Sequence, residues 1–258
     1  MSDSTPVRTP RHRGIYLLPN LFTTGAMFAG FYAIVTSIGG NYSDAAIAVF
    51  IAALLDGMDG RVARATGTQS EFGVQYDSLS DLISFGLAPS LVMYTWSLSS
   101  LKDYGQTWGR VGWAAAFIYA ACAALRLARF NTQVKVIDKR YFQGLASPAA
   151  AAVCMSFVWS MDRFDIAGAN VSSVTLLVAV IAGLLMVSRF RYFSFKSLPT
   201  GEGGRVPFLW VTAGVLLLIP FFIDPPRVLL VVFSLYALSG PVLTLWGVAT
   251  RRRRRSAP

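Results

Sequence analysis

The sequence predicts an all-α fold, a polytopic transmembrane helix bundle of about eight spans. Three observations predict it. Of 258 residues, 54% are hydrophobic and only 14% charged, with a mean hydropathy of +0.52, whereas soluble domains are about a quarter charged. The apolar residues gather into eight stretches, most of them near the ~20-residue length that crosses a bilayer as a helix. The basic residues, which give a net charge of +10, fall in short loops between those stretches. A separate soluble catalytic domain has no room, and a nucleic-acid partner is not implied, because the cations are spread where membrane-surface anchors sit.

Residues 1–14 are polar and basic and read as a cytoplasmic N-terminal tail. The run Tyr16 to Ile38 is longer than a signal-peptide core and lacks a clear small-residue cleavage site, so it is a retained first span. Further spans are expected roughly over Ala45 to Leu55, Leu79 to Leu98, Trp113 to Phe130, Ser147 to Met161, Val171 to Val187, Pro207 to Ile223 and Val228 to Ala249. The second is short because its far end is polar, and the fifth is short as well, so six or seven spans are the alternative count. Residues 15–250 form the transmembrane domain, and 251–258, beginning with five arginines, a basic cytoplasmic tail.

With eight spans, nineteen of the 23 Lys and Arg residues fall on one side and four (Lys102, Arg110, Arg163, Arg227) on the other. Cytoplasmic loops are the basic ones, so both termini are expected in the cytoplasm. Cys122 and Cys154 both lie inside apolar stretches, which implies neither a disulfide framework nor a thiolate metal site. The only histidine, His12, lies in the tail, which argues against histidine-based catalysis.

Charged residues in or beside spans are costly and by default functional. Here Asp56, Asp59, Asp77 and Asp81 combine with Gly60, Ala63, Arg64 and Gly73 to spell D-x2-D-G-x2-A-R-x8-G-x3-D-x3-D. On helices, Asp56 and Asp59 share a face, as do Asp77 and Asp81. Two helices joined by a turn through Gly67 to Gly73 would present all four to one cavity. Carboxylates that close repel unless cations neutralise them, and an all-oxygen site favours Mg²⁺ or Mn²⁺. Two such ions suit phosphoryl transfer on a pyrophosphate. Gly57 and Gly60 let a ligand approach the backbone, and Arg64 offers a fork for phosphate oxygens.

These residues resemble the CDP-alcohol phosphotransferases, whose signature is matched at every position. The resemblance implies an integral membrane enzyme that moves a phosphatidyl group from CDP-diacylglycerol to an alcohol and releases CMP. It implies Asp56, Asp59 and Asp77 as metal ligands, Asp81 as both ligand and general base, and Gly60, Arg64 and Ser70 as contacts to the CDP-lipid. Asp56 would adjoin that lipid too. Pro19 to Thr23 is similar to the family's nucleotide-side contact, through Asn20 and Thr23; the competing reading makes Asn20 a helix cap.

Three segments are similar to the phosphatidylserine synthases of bacteria: IYLLPN at 15–20, DSLSDLISFGLAP at 77–89, and ALRLARFN at 124–131 followed by FQGLASPA at 142–149. Position 146 is alanine where GLPSPAAA is usual. The likeness implies phospholipid biosynthesis in the bacterial inner membrane, L-serine as acceptor, contact with membrane phospholipids, and a homodimer. Serine is a zwitterion, so its site needs a cationic fork, polar partners and a base. Arg126 and Arg129 supply the first, with Asn131, Gln143 and Ser147 beside them. Membrane anchoring is the competing reading of the two arginines, and interfacial placement is expected for Tyr192, Phe193 and Phe195. Alternatives are another acceptor (glycerol phosphate, inositol phosphate, choline) or, from another class, an ion-coupled transporter with broken helices.

Overall fold

The computed structural model describes residues 17–68, 70–133, 141–193 and 208–255. Helix α1 (Leu17–Ile38) is the expected first span. Because it begins at Leu17, Asn20 lies inside its first turn and does not cap it, which removes that reading. Helix α2 (Tyr42–Thr66) runs well past the expected Leu55 and carries the polar end with it. Its first turn is satisfied from another element: Asp162 accepts from both the backbone N–H and the hydroxyl of Ser43. Its last turn closes on Gly67, in the left-handed conformation with φ +62, whose N–H bonds Ala63 O.

Helix α3 (Glu71–Asp81) starts immediately afterwards, with Ser70 as its cap accepting from Gly73 N–H at 3.0 Å. The connection is therefore tighter than the expected turn to Gly73, which is itself helical. From Asp81 the chain passes through a π turn (Leu82–Leu87) into α4 (Ala88–Trp96) without a break, then a 3₁₀ segment (Leu98–Tyr104). There follow α5 (Gln106–Gln133), α6 (Ser147–Arg163), α7 (Ser172–Val187), α8 (Phe208–Ile223) and α9 (Pro225–Arg255). Helix α9 continues through the arginine run expected to be tail.

Counting α3 to α4 as one, the described residues hold eight long helical segments. Five are long and apolar enough to cross a membrane: Pro19–Ile38, Glu71–Tyr104, Gln106–Thr132, Gly168–Val187 and Pro225–Thr244. The protein is an all-α integral membrane bundle. Helix α2 carries charge at its end, and α6, only 17 residues long, is buried along most of its length. Close packing rests on small side chains: Ala29 and Ala33 of α1, Ala45, Ala48 and Ala52 of α2, and Ala149 to Ala151 of α6 are all core residues. Among lipids, where apolar burial gives helices no advantage over tails, such close backbone approach supplies the packing energy.

Two three-residue strands interrupt the helices, β1 (Tyr141–Gln143) antiparallel to β2 (Arg191–Phe193), with Gln143 opposite Arg191. They are pinned to α9 by Tyr192, whose hydroxyl donates to Ala237 O at 3.0 Å and whose ring fills the space over Gly240 that a Cβ would occupy. Tyr192 is fully buried. Its expected interfacial placement is thereby corrected, because Gly240 opens a socket for it; Phe195 lies outside the described residues.

Candidate active site

The tight α2–α3 connection turns the two acidic faces toward each other. One carboxylate oxygen each from Asp56, Asp59 and Asp77 lies within 4.8 Å of the others. Asp59 is buried and fixed from α1: Thr23 Oγ1 donates to Asp59 Oδ2 at 2.7 Å while lying 3.2 Å from Pro19 O. Asp81, one turn beyond Asp77, lies against Asp56 and within charge-interaction reach of Arg126 on α5. Ser80 braces the same turn by donating to Thr23 O at 3.0 Å.

Asp77 Oδ1 and Asp81 Oδ1 are buried without a hydrogen-bond partner. Clustered carboxylates with orphaned oxygens cost several kcal/mol each unless a cation satisfies them, and the donor set is all oxygen. The residues present therefore suit a hard divalent ion, which the Asp56, Asp59 and Asp77 group can hold.

On the neighbouring face, a Cβ at Gly57 would meet nothing within 4 Å, and one at Gly60 would meet only the Arg64 guanidinium, at 3.4 Å and beyond. Packing within the protein does not demand glycine at either position; open space beside the acids remains for a ligand. Asn20 joins this region, its Oδ1 lying 3.8 Å from the Cβ position of Gly73, beside the Ser70 cap.

The opposite side is cationic. Arg126 is half-buried, donates from Nη1 to Ser147 Oγ at 2.9 Å, and keeps a buried Nε without a partner. Ser147 itself is fully buried at the start of α6. The other expected acceptor-side residues turn elsewhere. Arg129 donates to Gln143 Oε1 at 2.6 Å and to Val187 O at 3.4 Å, and Asn131 donates to Ser78 Oγ at 3.0 Å. Those contacts tie β1, α7 and α3 to the end of α5. Tyr236 of α9 stands near Arg126, a neighbour that no spacing in the sequence announces.

A sequence model of CDP-alcohol phosphatidyltransferase matches residues 16–190. The chain belongs to the CDP-alcohol phosphatidyltransferase family. The matched segment holds all four aspartates, both arginines and Ser147, while α8 and α9 lie beyond it. Among its relatives, the CDP-diacylglycerol--serine O-phosphatidyltransferase of Helicobacter pylori (strain ATCC 700392 / 26695) is 34% identical over 236 residues, covering 90% of this chain and 92% of the relative. The protein of the same name from Mycobacterium tuberculosis (strain ATCC 25618 / H37Rv) is 38% identical over 151 residues, 55% of this chain and 50% of the relative. Archaetidylserine synthase of Methanothermobacter thermautotrophicus is 34% identical over 177 residues, 68% of this chain and 69% of the relative. The chain brings together from α2, α3 and α5 an acid cluster that can hold a divalent metal, open backbone beside it, and a cation within charge-interaction reach of the last acid.

Proposed function

We propose that the protein is a phosphatidylserine synthase, transferring the phosphatidyl group of CDP-diacylglycerol to the hydroxyl of L-serine with release of CMP. The observation that carries the acceptor assignment is that Asp81 lies beside Asp56 of the acid cluster and within charge-interaction reach of Arg126, whose buried Nε has no hydrogen-bond partner. The names of the relatives support the same reading.

In this reading Asp56, Asp59 and Asp77, with Asp81 at the edge, would hold two divalent ions, Mg²⁺ or Mn²⁺. Such ions, when bound, offset charge on the pyrophosphate and on the departing CMP. The chain's residues do the rest. Gly57 and Gly60 let the CDP group lie against α2, with Arg64, Asn20, Thr23 and Ser70 along its course. Arg126 receives the serine carboxylate through Nε and Nη2, with Ser147 accepting from Nη1. Asp81 takes the hydroxyl proton as serine Oγ bonds the β-phosphorus, and the bond from that phosphorus to the CMP oxygen breaks, the electron pair leaving with CMP. A positioned base of this kind contributes about 10²- to 10⁴-fold in rate.

The proposal places the protein in a bacterial inner membrane with both termini cytoplasmic, supported by the nineteen-to-four charge bias. It also includes a homodimer, supported by the family likeness. The test is CMP release from CDP-diacylglycerol by detergent-solubilised protein, run side by side with serine, glycerol phosphate, inositol phosphate and choline. Serine should be the acceptor that drives release; preference for any other reassigns the acceptor, and no release with any alcohol defeats the enzyme reading in favour of transport.

A further inference from the structure

The segment Ser84-Phe85-Gly86-Leu87-Ala88-Pro89 follows Asp81 almost directly, and nothing in the reaction above uses it. It is where the third span changes its winding. Over Leu82–Leu87 the helix is π, with Ala88 N–H bonding Ile83 O, five residues back instead of four. The cause is legible in the chain. In an α-helix, Phe85 O would accept from residue 89, which is proline: it has no N–H, and its ring crowds that carbonyl. Phe85 O instead accepts from Tyr119 Oη of α5, at 3.1 Å, and both side chains are fully buried.

The widened turn is held on two sides. Toward α1, Ser84 Oγ donates to Ala26 O at 3.0 Å, and the helices are so close that a Cβ on Gly30 would come 2.8 Å from Ser84 Cα. Toward α5, besides Tyr119, a Cβ on Gly86 would stand 3.2 Å from Ala123 Cβ. A π turn contains one residue more than the α turn it replaces, which rotates everything before it relative to everything after by about 100°. What lies before it is α3, with Asp77 and Asp81. In a continuous α-helix anchored through α4, those two carboxylates would be swung away from Asp56 and Arg126.

We propose that Tyr119 and Pro89 act as a register lock: proline denies Phe85 O its helical donor, the buried tyrosine hydroxyl donates in its place, and the π turn so fixed aims Asp77 and Asp81 into the site. Tyr119 is thus a positioning residue for the transfer. It touches no reacting atom. This inference rests on the reaction proposed above for its rate readout, and a metal-binding readout stands apart from it.

The experiment compares wild type with Tyr119→Phe and Pro89→Ala in detergent, measuring kcat and both KM values for CMP release, Mn²⁺ affinity by EPR titration, and melting temperature. Pro89→Ala is the decisive variant, because it removes no contact to a ligand and restores an N–H for Phe85 O, allowing the α register. Both variants should lose at least about tenfold in kcat and in Mn²⁺ affinity, with Pro89→Ala melting at or above the wild-type temperature. A residue that only satisfied a buried carbonyl would give another pattern, in which Tyr119→Phe melts lower and Pro89→Ala keeps full turnover and metal affinity. That pattern overturns the lock, as does wild-type behaviour of Tyr119→Phe; if Tyr119→Phe does not fold, Pro89→Ala alone decides. A wild type that releases no CMP with any alcohol but binds Mn²⁺ defeats the proposed reaction, while the Mn²⁺ arm still decides the register.

Discussion

Replacing Arg126 by lysine separates acceptor binding from everything else in the site. The guanidinium donates from Nη1 to Ser147 Oγ at 2.9 Å, lies within charge-interaction reach of Asp81, and has a buried Nε without a hydrogen-bond partner. Lysine keeps the positive charge opposite Asp81, so the acid cluster is not left uncompensated. It cannot keep the planar fork, however, and a single ammonium must choose between Ser147 and a ligand carboxylate. The loss is about one charge-assisted hydrogen bond, worth about 1.5–3 kcal/mol, which corresponds to a rise of about 10- to 150-fold in KM for serine. KM for CDP-diacylglycerol should stay near the wild-type value, because Asn20, Gly57, Gly60 and Ser70 are untouched. Initial rates of CMP release, with each substrate varied in turn, measure both constants. Arg129→Lys is the internal comparison: its bonds run to Gln143 and Val187 O, so its serine effect should be the smaller. Equal rises in both KM values for Arg126→Lys, or none for serine, would refute the assignment and leave Arg126 as an anchor.

Asp56→Asn and Asp77→Asn each remove a charge and a ligand from the cluster, so divalent-dependent CMP release should vanish; near-normal release by either, or by chelator-stripped wild type, contradicts the metal site. Asp81→Asn should lower kcat by about 10²- to 10⁴-fold while Mn²⁺ titration still shows binding, since three carboxylates remain. Gly57→Ala meets no neighbour within 4 Å, so the variant should fold and gain about 0.5–1 kcal/mol of helix stability, read as a higher melting temperature, yet its KM for CDP-diacylglycerol should rise; an unchanged KM means the open face is not the nucleotide's. For topology, Asn41→Cys and Ser256→Cys are labelled in intact cells with an impermeant maleimide, the native Cys122 and Cys154 being buried. Only the first should react, and labelling of only the second inverts the orientation.

Much of this was legible in the chain because membrane folding leaves few options for a backbone that must satisfy itself. Apolar runs marked the helices, and the acids stood out because charge near a bilayer is expensive. Their i, i+3 and i, i+4 spacing foretold the shared faces that the structure shows. Element ends were less legible. Helix α2 reaches Thr66 because helix geometry continues through polar residues once α1 and α6 hold its apolar part, and hydropathy is blind to that. Tyr192 was misread because an aromatic residue in a loop looks interfacial until its glycine socket on α9 is known.

The sequence alone thus determined the membrane class, the acid pairs and the family likeness, each of which depends on residue type and short spacing. Only tertiary structure decided how those pairs meet and which arginine faces them. Arg126 and Arg129 are equivalent in spacing, yet one lies opposite Asp81 and the other binds Gln143. The hydroxyl on Asp59 comes from α1, the phenol near Arg126 from α9, and the donor to Phe85 O, just past Asp81, from a tyrosine on α5. Those relations join segments far apart in the chain, and no local periodicity encodes a contact whose two halves are brought together only by packing.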